Sequence, residues 1–266
     1  MAKDAKDNDH ILVRRDDPAV PVVVLNRPER KNAVSLSMWR TIATLFGDFA
    51  ADKAVRGVVV TGAGDSFCAG ADISEFKTVR KDAKDGAIYD TAVREATETI
   101  VHLPKPTVAA ISGFCIGGGV ALALACDFRI SDGTGKFGVP AARLGIVYSR
   151  LECQALIAAI GAASTKRILF GGARIDAAEA ARIGLIDQSV ASDPVGAARA
   201  YLAPMAENAP LSIAGMKLIV NALAEGQADA RQGEIAAATR TALESADYRE
   251  GVKAFGEKRP PRFTGI

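Results

Sequence analysis

Histidine is almost missing from this chain. Two occur in 266 residues, His10 in a charged N-terminal stretch and His102 just ahead of Pro104. A histidine-based metal site or a Ser-His-Asp triad therefore has no material to be built from. Cysteine is scarce too. Cys68, Cys115, Cys126 and Cys153 form no CxxC pair and sit among small or apolar neighbours, which predicts buried free thiols and a reducing, cytoplasmic setting. Aromatic residues make up only 6%, so the core must be assembled from Ala, Val, Leu and Ile with backbones close together. No apolar run reaches about eighteen residues, so no membrane span is expected. Neither sign of charge dominates. Lys plus Arg number 33 against 31 Asp plus Glu, a formal net charge of +2, which supplies no basic face for nucleic acid. Met1 to His10 is charged and lacks an apolar stretch, so it reads as a frayed leader and not a secretory signal.

What is present is an alternation. Residues 11–15 and 20–26 are β-branched runs separated by Asp16-Asp17-Pro18, a hairpin signal. Ser37 is the expected cap of a helix reaching about Lys53, with Met38, Ile42, Leu45, Phe46 and Phe49 on one face. Strands are expected over 56–61, 107–112 and 127–131, and helices over 72–80, 87–103 and 120–126. Beyond Arg150 the pattern is helical almost throughout, near 152–160, 164–170, 176–183, 193–208, 210–224 and 227–245, before a basic, proline-broken end. This is an α/β core with a helical C-terminal part and no repeat of fixed period. The expected organisation is a leader over 1–10, a core over 11–200 and a helical region over 201–266.

Two glycine-rich loops carry the chemistry. One runs from Gly62 to Ile73, leaving a buried strand for a helix. The other, Gly117-Gly118-Gly119, repeats the arrangement after the strand ending at Ser112. Free backbone N–H groups at such helix starts attract negative charge, and two loops together can aim two donors at one oxygen. A dinucleotide fingerprint fails because Phe67 stands where the third glycine belongs, and no GxxxxGK[ST] loop exists.

The segments Leu25-Asn26-Arg27-Pro28 with Asn32-Ala33, Phe67-Cys68-Ala69-Gly70-Ala71-Asp72-Ile73, Lys105-Pro106 with the triple glycine, Cys126-Asp127, residues 136–140, Leu144-Gly145, and Ala177-Ala178-Glu179-Ala180 with Gly184-Leu185 together resemble the crotonase, or enoyl-CoA hydratase/isomerase, superfamily. The resemblance covers roughly residues 11–260 in unbroken order. It implies a spiral of ββα units, a helical trimerisation region giving a homotrimer or dimer of trimers, and a coenzyme A thioester as substrate with no tightly bound cofactor. By position, the oxyanion donors would be the N–H groups of Ala71 and Gly118. Coenzyme A would lie along Arg30, Lys31, Ala33, Ala69, Asp72 and Ile73, with Phe255 and Lys258 reaching it from the last helix, from the same or a neighbouring subunit. Asp72 has a second reading as a carboxylate that simply stabilises a helix start.

The sequence also departs from that family. The two glutamate positions of its hydratases are Ala121 and Ala141 here, and neither alanine can carry a proton. Efficient hydration is therefore not expected. Proton transfer would fall to Tyr148 or Glu152, four apart and able to share a helix face if the helix starts early. Two classes stay open: an acyl-CoA enzyme acting as hydratase, isomerase, hydrolase or decarboxylase, and an acyl-CoA binder with little chemistry. An RNA-binding role exists in the family, but no basic helix suggests it here.

Overall fold

The computed structural model describes residues 10–266. The expected leader therefore lies almost wholly outside the described residues. β1 (Ile11–Arg14) and β2 (Val22–Leu25) form the expected antiparallel hairpin, with Ile11 opposite Leu25. α1 (Leu36–Ala51) follows, then β3 (Val58–Gly62), the short α2 (Phe76–Val79) and α3 (Ala83–Val101). β4 (Thr107–Ile111), β5 (Phe114–Ile116), α4 (Gly118–Ala125), β6 (Phe128–Asp132) and β7 (Lys136–Gly138) complete the glycine-loop region. The remainder is α5 (Arg150–Gly171), β8 (Ile175–Asp176), α6 (Ala177–Arg182), β9 (Gln188–Val190), α7 (Pro194–Ala206), α8 (Pro210–Ala224), α9 (Gln232–Glu244) and α10 (Ala246–Glu257).

The strands make two sheets. One has the order β1-β2-β3-β4-β6-β9, parallel from β2 onward; the other has the order β5-β7-β8. Side chains of the large sheet alternate between two cores, as the two-residue period of a strand requires. Val23, Leu25, Val58, Val60, Ala109 and Ile111 face the main core with α1 and α3. Val22, Val24, Val59, Val108, Ala110 and Ile130 face Ala198 and Leu202 of α7. Both faces are covered, which is why these strands read as unbroken apolar runs.

Several expectations need correcting. Ser35, not Ser37, caps α1, its side chain accepting from Met38 N, and Ser37 turns its hydroxyl to Ser35 instead. Residues 72–80 are not one helix but a tight turn over Ile73–Glu75 followed by α2. α3 begins at Ala83, inside the expected polar break, because Asp82 accepts from Asp85 N as its cap. No strand of the second sheet is among the expected ones, and Asp176 of β8 falls in the expected 176–183 helix. The strands of that sheet are two or three residues long, too short for a period to show. Position 200 lies inside α7, whose Ala198 and Leu202 are buried together on the large sheet. α10 was not foreseen as a separate helix; Ser245 starts it by accepting from Tyr248 N.

α5 joins the two expected helices but breaks at Gly161, whose φ of 70° and ψ of 163° are non-helical. It is the one described helix with the length and apolarity of a membrane span. Gly161 breaks it at mid-length, and Leu156, Ile160, Thr165 and Ile168 are its buried residues.

A methyl group added at Gly119 would stand 2.5 Å from the Cys68 carbonyl oxygen, whereas at Gly133 it would meet nothing within 4 Å. Gly119→Ala is therefore expected to cost about 1–3 kcal/mol, and Gly133→Ala to stay within about 0.5 kcal/mol of the parent. Urea unfolding of the two variants checks this contrast.

Candidate functional site

The two glycine-rich loops meet. Phe67 N and Cys68 N donate to Ser112 O and Phe114 O, and Ile116 N returns a bond to Cys68 O. Residues 66–68 thus run alongside β5 as an added strand, with Cys68 paired to Cys115. On the other side Val34 pairs with Ala71 through Val34 N to Gly70 O and Asp72 N to Val34 O. That pairing uses the groups flanking Ala71, so the N–H of Ala71 itself points the opposite way, toward the start of α4. Gly118 is the first residue of α4, where an N–H has no acceptor within the helix. Among the described residues neither N–H has a protein acceptor. A methyl on Gly118 would lie 3.4 Å from Ala71 N, so the two residues are neighbours in space. One on Gly70, with φ at 103°, would stand 2.8 Å from Ile116 O, so this approach needs glycine there. Chemically, two adjacent unpaired donors can hold one oxygen that gains negative charge.

A buried polar lattice fixes the loops. Asn32 is fully buried; its side-chain amide donates to Ala63 O and Ser66 O and its carbonyl accepts from Arg27 N. Arg27 pairs with Asp72 at 2.9 Å and also donates to Ala33 O. Ser74 gives Asp72 two more bonds, from its N–H and its hydroxyl. Burial works against the charged carboxyl, but Ser74 and Arg27 outweigh it and hold Asp72 below the ordinary aspartate range. Asp72 is 5% exposed and committed to these partners. It ties the 27–33 loop to the 69–73 loop. Glu75 is likewise engaged, accepting from Leu36 N at the start of α1.

The other expected ligand residues divide into two groups. Arg30 and Lys31 are exposed beside the half-buried Ala33 and Ala69, and Ala69 N donates to Lys31 O. Ile73 is 56% exposed and lines a groove of about 590 Å³ with Phe76, Leu144, Ile146 and Val147. That volume suits a small-molecule ligand. Phe255, near the C-terminal end of α10, and Lys258, its C-cap, are exposed.

The proton-bearing candidates also separate. The helix does not start early. Ser149 is the cap of α5 and forms a capping box with Glu152, whose carboxylate accepts from Ser149 N at 2.9 Å. Tyr148 therefore precedes the helix and shares no face with Glu152. Its hydroxyl donates to Gly117 O at 3.0 Å, and burial, with Glu152 adding to it, pushes the phenol well above its ordinary range. Ala121 is buried and Ala141 half-buried at the core. His102 caps α3 near Glu225, and Asp127 is occupied by Thr107 and Lys217. Burial pushes the Cys68 thiol up to about 12, so it stays protonated.

Two supporting residues escaped the sequence reading. Trp39 lies under Gly118, 3.3 Å from the position of an added methyl, and its indole N–H donates to the Tyr89 hydroxyl of α3 at 3.0 Å. Trp39 does fall on the buried face of α1, but nothing in the sequence says which loop that face would carry.

The enoyl-CoA hydratase/isomerase family model matches residues 15–265. The short-chain-enoyl-CoA hydratase of Clostridium acetobutylicum is 32% identical, covering 93% of this chain and 95% of its own length. Among solved structures, an enoyl-CoA hydratase/carnithine racemase from Magnetospirillum magneticum superposes with a TM-score of 0.87 at 37% identity, covering 97% of this chain and 96% of the other. An enoyl-CoA hydratase from Bacillus anthracis gives a TM-score of 0.88 at 29% identity over 97% and 100% of the two chains. The fold is the crotonase fold, and the chain belongs to the enoyl-CoA hydratase/isomerase family.

Asp72→Asn should destabilise the fold by about 3–5 kcal/mol at pH 7, because Arg27 is left with an uncompensated buried charge. A carboxyl lowered by folding contributes stability above its unfolded value and loses it as pH falls through the folded value. The gap between variant and parent should therefore narrow only below the ordinary aspartate value of 3.8. Urea midpoints measured between pH 7 and pH 3 give both the size and the direction.

Proposed function

We propose that this protein is an acyl-CoA enzyme that stabilises a thioester enolate between the N–H groups of Ala71 and Gly118. The observation that carries this reading is the pair of adjacent, unpaired donors at the meeting of the two loops. The thioester oxygen accepts from both as the α-carbon loses a proton or a nucleophile adds. One such donor is worth about 3–4 kcal/mol where it has been removed from other enzymes. The acyl chain then runs into the groove at Ile73 and Val147. The coenzyme A phosphates lie against Arg30 and Lys31, with Ala33, Ala69 and Ile73 along the nucleotide and pantetheine. Phe255 and Lys258 complete that surface from a neighbouring subunit of a homotrimer or dimer of trimers. The substrate is a small molecule, no bound cofactor takes part, and the setting is cytoplasmic.

Proton transfer is assigned to the 144–152 segment, to Tyr148 or Glu152. A phenol held above its ordinary range serves as an acid and not as a base. Glu152 must leave its capping box to act. A second reading, an acyl-CoA binder with little turnover, is favoured by Ala121 and Ala141, which leave the donors without the carboxylates of a hydratase.

A binding and product screen of purified protein against acyl-CoA thioesters separates the two readings, since a binder retains affinity and yields no product. Hydration of crotonyl-CoA should fall far below the rate of ordinary enzymes, on the order of 10 s⁻¹, and rise in the Ala121→Glu, Ala141→Glu double variant. Arg30→Ala and Lys31→Ala should each weaken thioester binding by about 0.5–2 kcal/mol at low salt, and by less at high salt. Unchanged affinity in the combined variant removes both residues from the site.

A further inference from the structure

We infer that Tyr148 is a positioning residue for the oxyanion donor: its hydroxyl, bonded to Gly117 O, holds the Gly117–Gly118 peptide with the Gly118 N–H turned into the site. This rests on the enolate reading above and deepens it. The carbonyl that Tyr148 grips and the N–H that meets the thioester belong to one peptide plane, so fixing one end fixes the other. Gly117 O accepts from Tyr148 at 3.0 Å and from Ala121 N at 3.1 Å, while Gly117 N donates to Gly138 O at 2.8 Å.

The restraint is needed because the peptide links two glycines. Gly117 has φ of 53° and ψ of −114°. A half-turn of the peptide would carry ψ to about +66°, into the left-handed region that glycine enters freely. The flipped form would present the Gly117 oxygen where the Gly118 N–H now stands, and an oxygen there repels an enolate. Every bond made to Gly117 O in the present orientation opposes that flip. A hydroxyl on the carbonyl also polarises the amide and strengthens the N–H at its other end.

The location of Tyr148 fits this task. It sits outside α5, released from the helix by the Ser149 cap, with its ring against the main core. Burial keeps the phenol protonated, so the O–H remains a donor across the working pH range. With its proton directed to Gly117 O, the phenol is withdrawn from proton transfer, and Glu152 is left as the candidate in the 144–152 segment.

The test is infrared difference spectroscopy of acetyl-CoA labelled with ¹³C at the thioester carbonyl, bound to the full-length protein. Wild type should lower the carbonyl stretch relative to free thioester. In Tyr148→Phe at least half of that lowering should vanish while affinity stays within about threefold. Turnover of any substrate found by the screen should fall about tenfold or more with an unchanged pH profile. Replacing Tyr148 alone with 3-fluorotyrosine, a stronger donor of nearly equal shape, should deepen the lowering, and this protein decides the matter if Tyr148→Phe does not fold. An unchanged carbonyl stretch in both proteins overturns the inference. So does loss of a pH-profile limb in Tyr148→Phe with the stretch unchanged, which makes Tyr148 a proton carrier. A wild-type protein that binds the thioester without lowering its carbonyl stretch sinks the enolate reading itself, a result distinct from either.

Discussion

The approach of two backbones controls this structure. Residues 68–71 and 116–119 come together so tightly that a side chain at Gly70 or Gly119 would strike a carbonyl oxygen of the opposite segment. Ala71 and Gly118 thereby become neighbours, both half-buried, and among the described residues the N–H of neither has a protein acceptor. The flanking elements hold this approach in place. β5 pairs with Cys68 on one side, Val34 pairs with Ala71 on the other, and Trp39 supports Gly118 from below.

Charge is used mainly for bracing. Arg27, Asp72, Lys105, Asp127 and Lys217 are buried or nearly so, and each is matched by a carboxylate, a carbonyl or an N–H. Lys217 of α8 reaches both Asp127 and Lys105 O, and Asn221 reaches Val101 O, so polar contacts tie α8 to the end of α3 and to the residues just ahead of β4 and β6. The exposed cations Arg30, Lys31 and Arg174 are different. Lys31 and Arg174 both approach the ring of Phe114, at 4.2 and 4.9 Å from its centroid, and neither has a carboxylate partner among the described residues. A basic, aromatic edge therefore flanks the loop to which the nucleotide is assigned.

The proposed site combines backbone donors with alanines at the two hydratase glutamate positions. Backbone donors depend on fold and survive whatever side chains surround them, whereas general acids and bases are single residues that one substitution removes. Ala121 and Ala141 sit where the family resemblance calls for glutamates, while Ala71 and Gly118 are neighbours in space. That division explains why membership in the family is firm while the reaction is a separate question.

Much was legible in the order of residues. Long apolar strands, capped helices and two glycine loops after buried strands follow from local patterns, and the family resemblance adds that alanines stand at the hydratase glutamate positions 121 and 141. Local pattern failed where the deciding contact is remote in sequence. β5, β7 and β8 are too short to show a period and exist because each finds a partner far along the chain, Phe114 beside Lys136 and Phe137 beside Ile175. Asp72 finds Arg27, 45 positions earlier, as its ion-pair partner, which no local pattern foretells. Tyr148 and Glu152 looked like neighbours on one helix face, but Ser149 starts the helix between them and sends one to Gly117 and the other to a cap. The sequence by itself determined which backbone could come close, because only glycine leaves the room. The tertiary structure alone decided what faced that gap, because hydrogen-bond partners are chosen by distance in space and not along the chain.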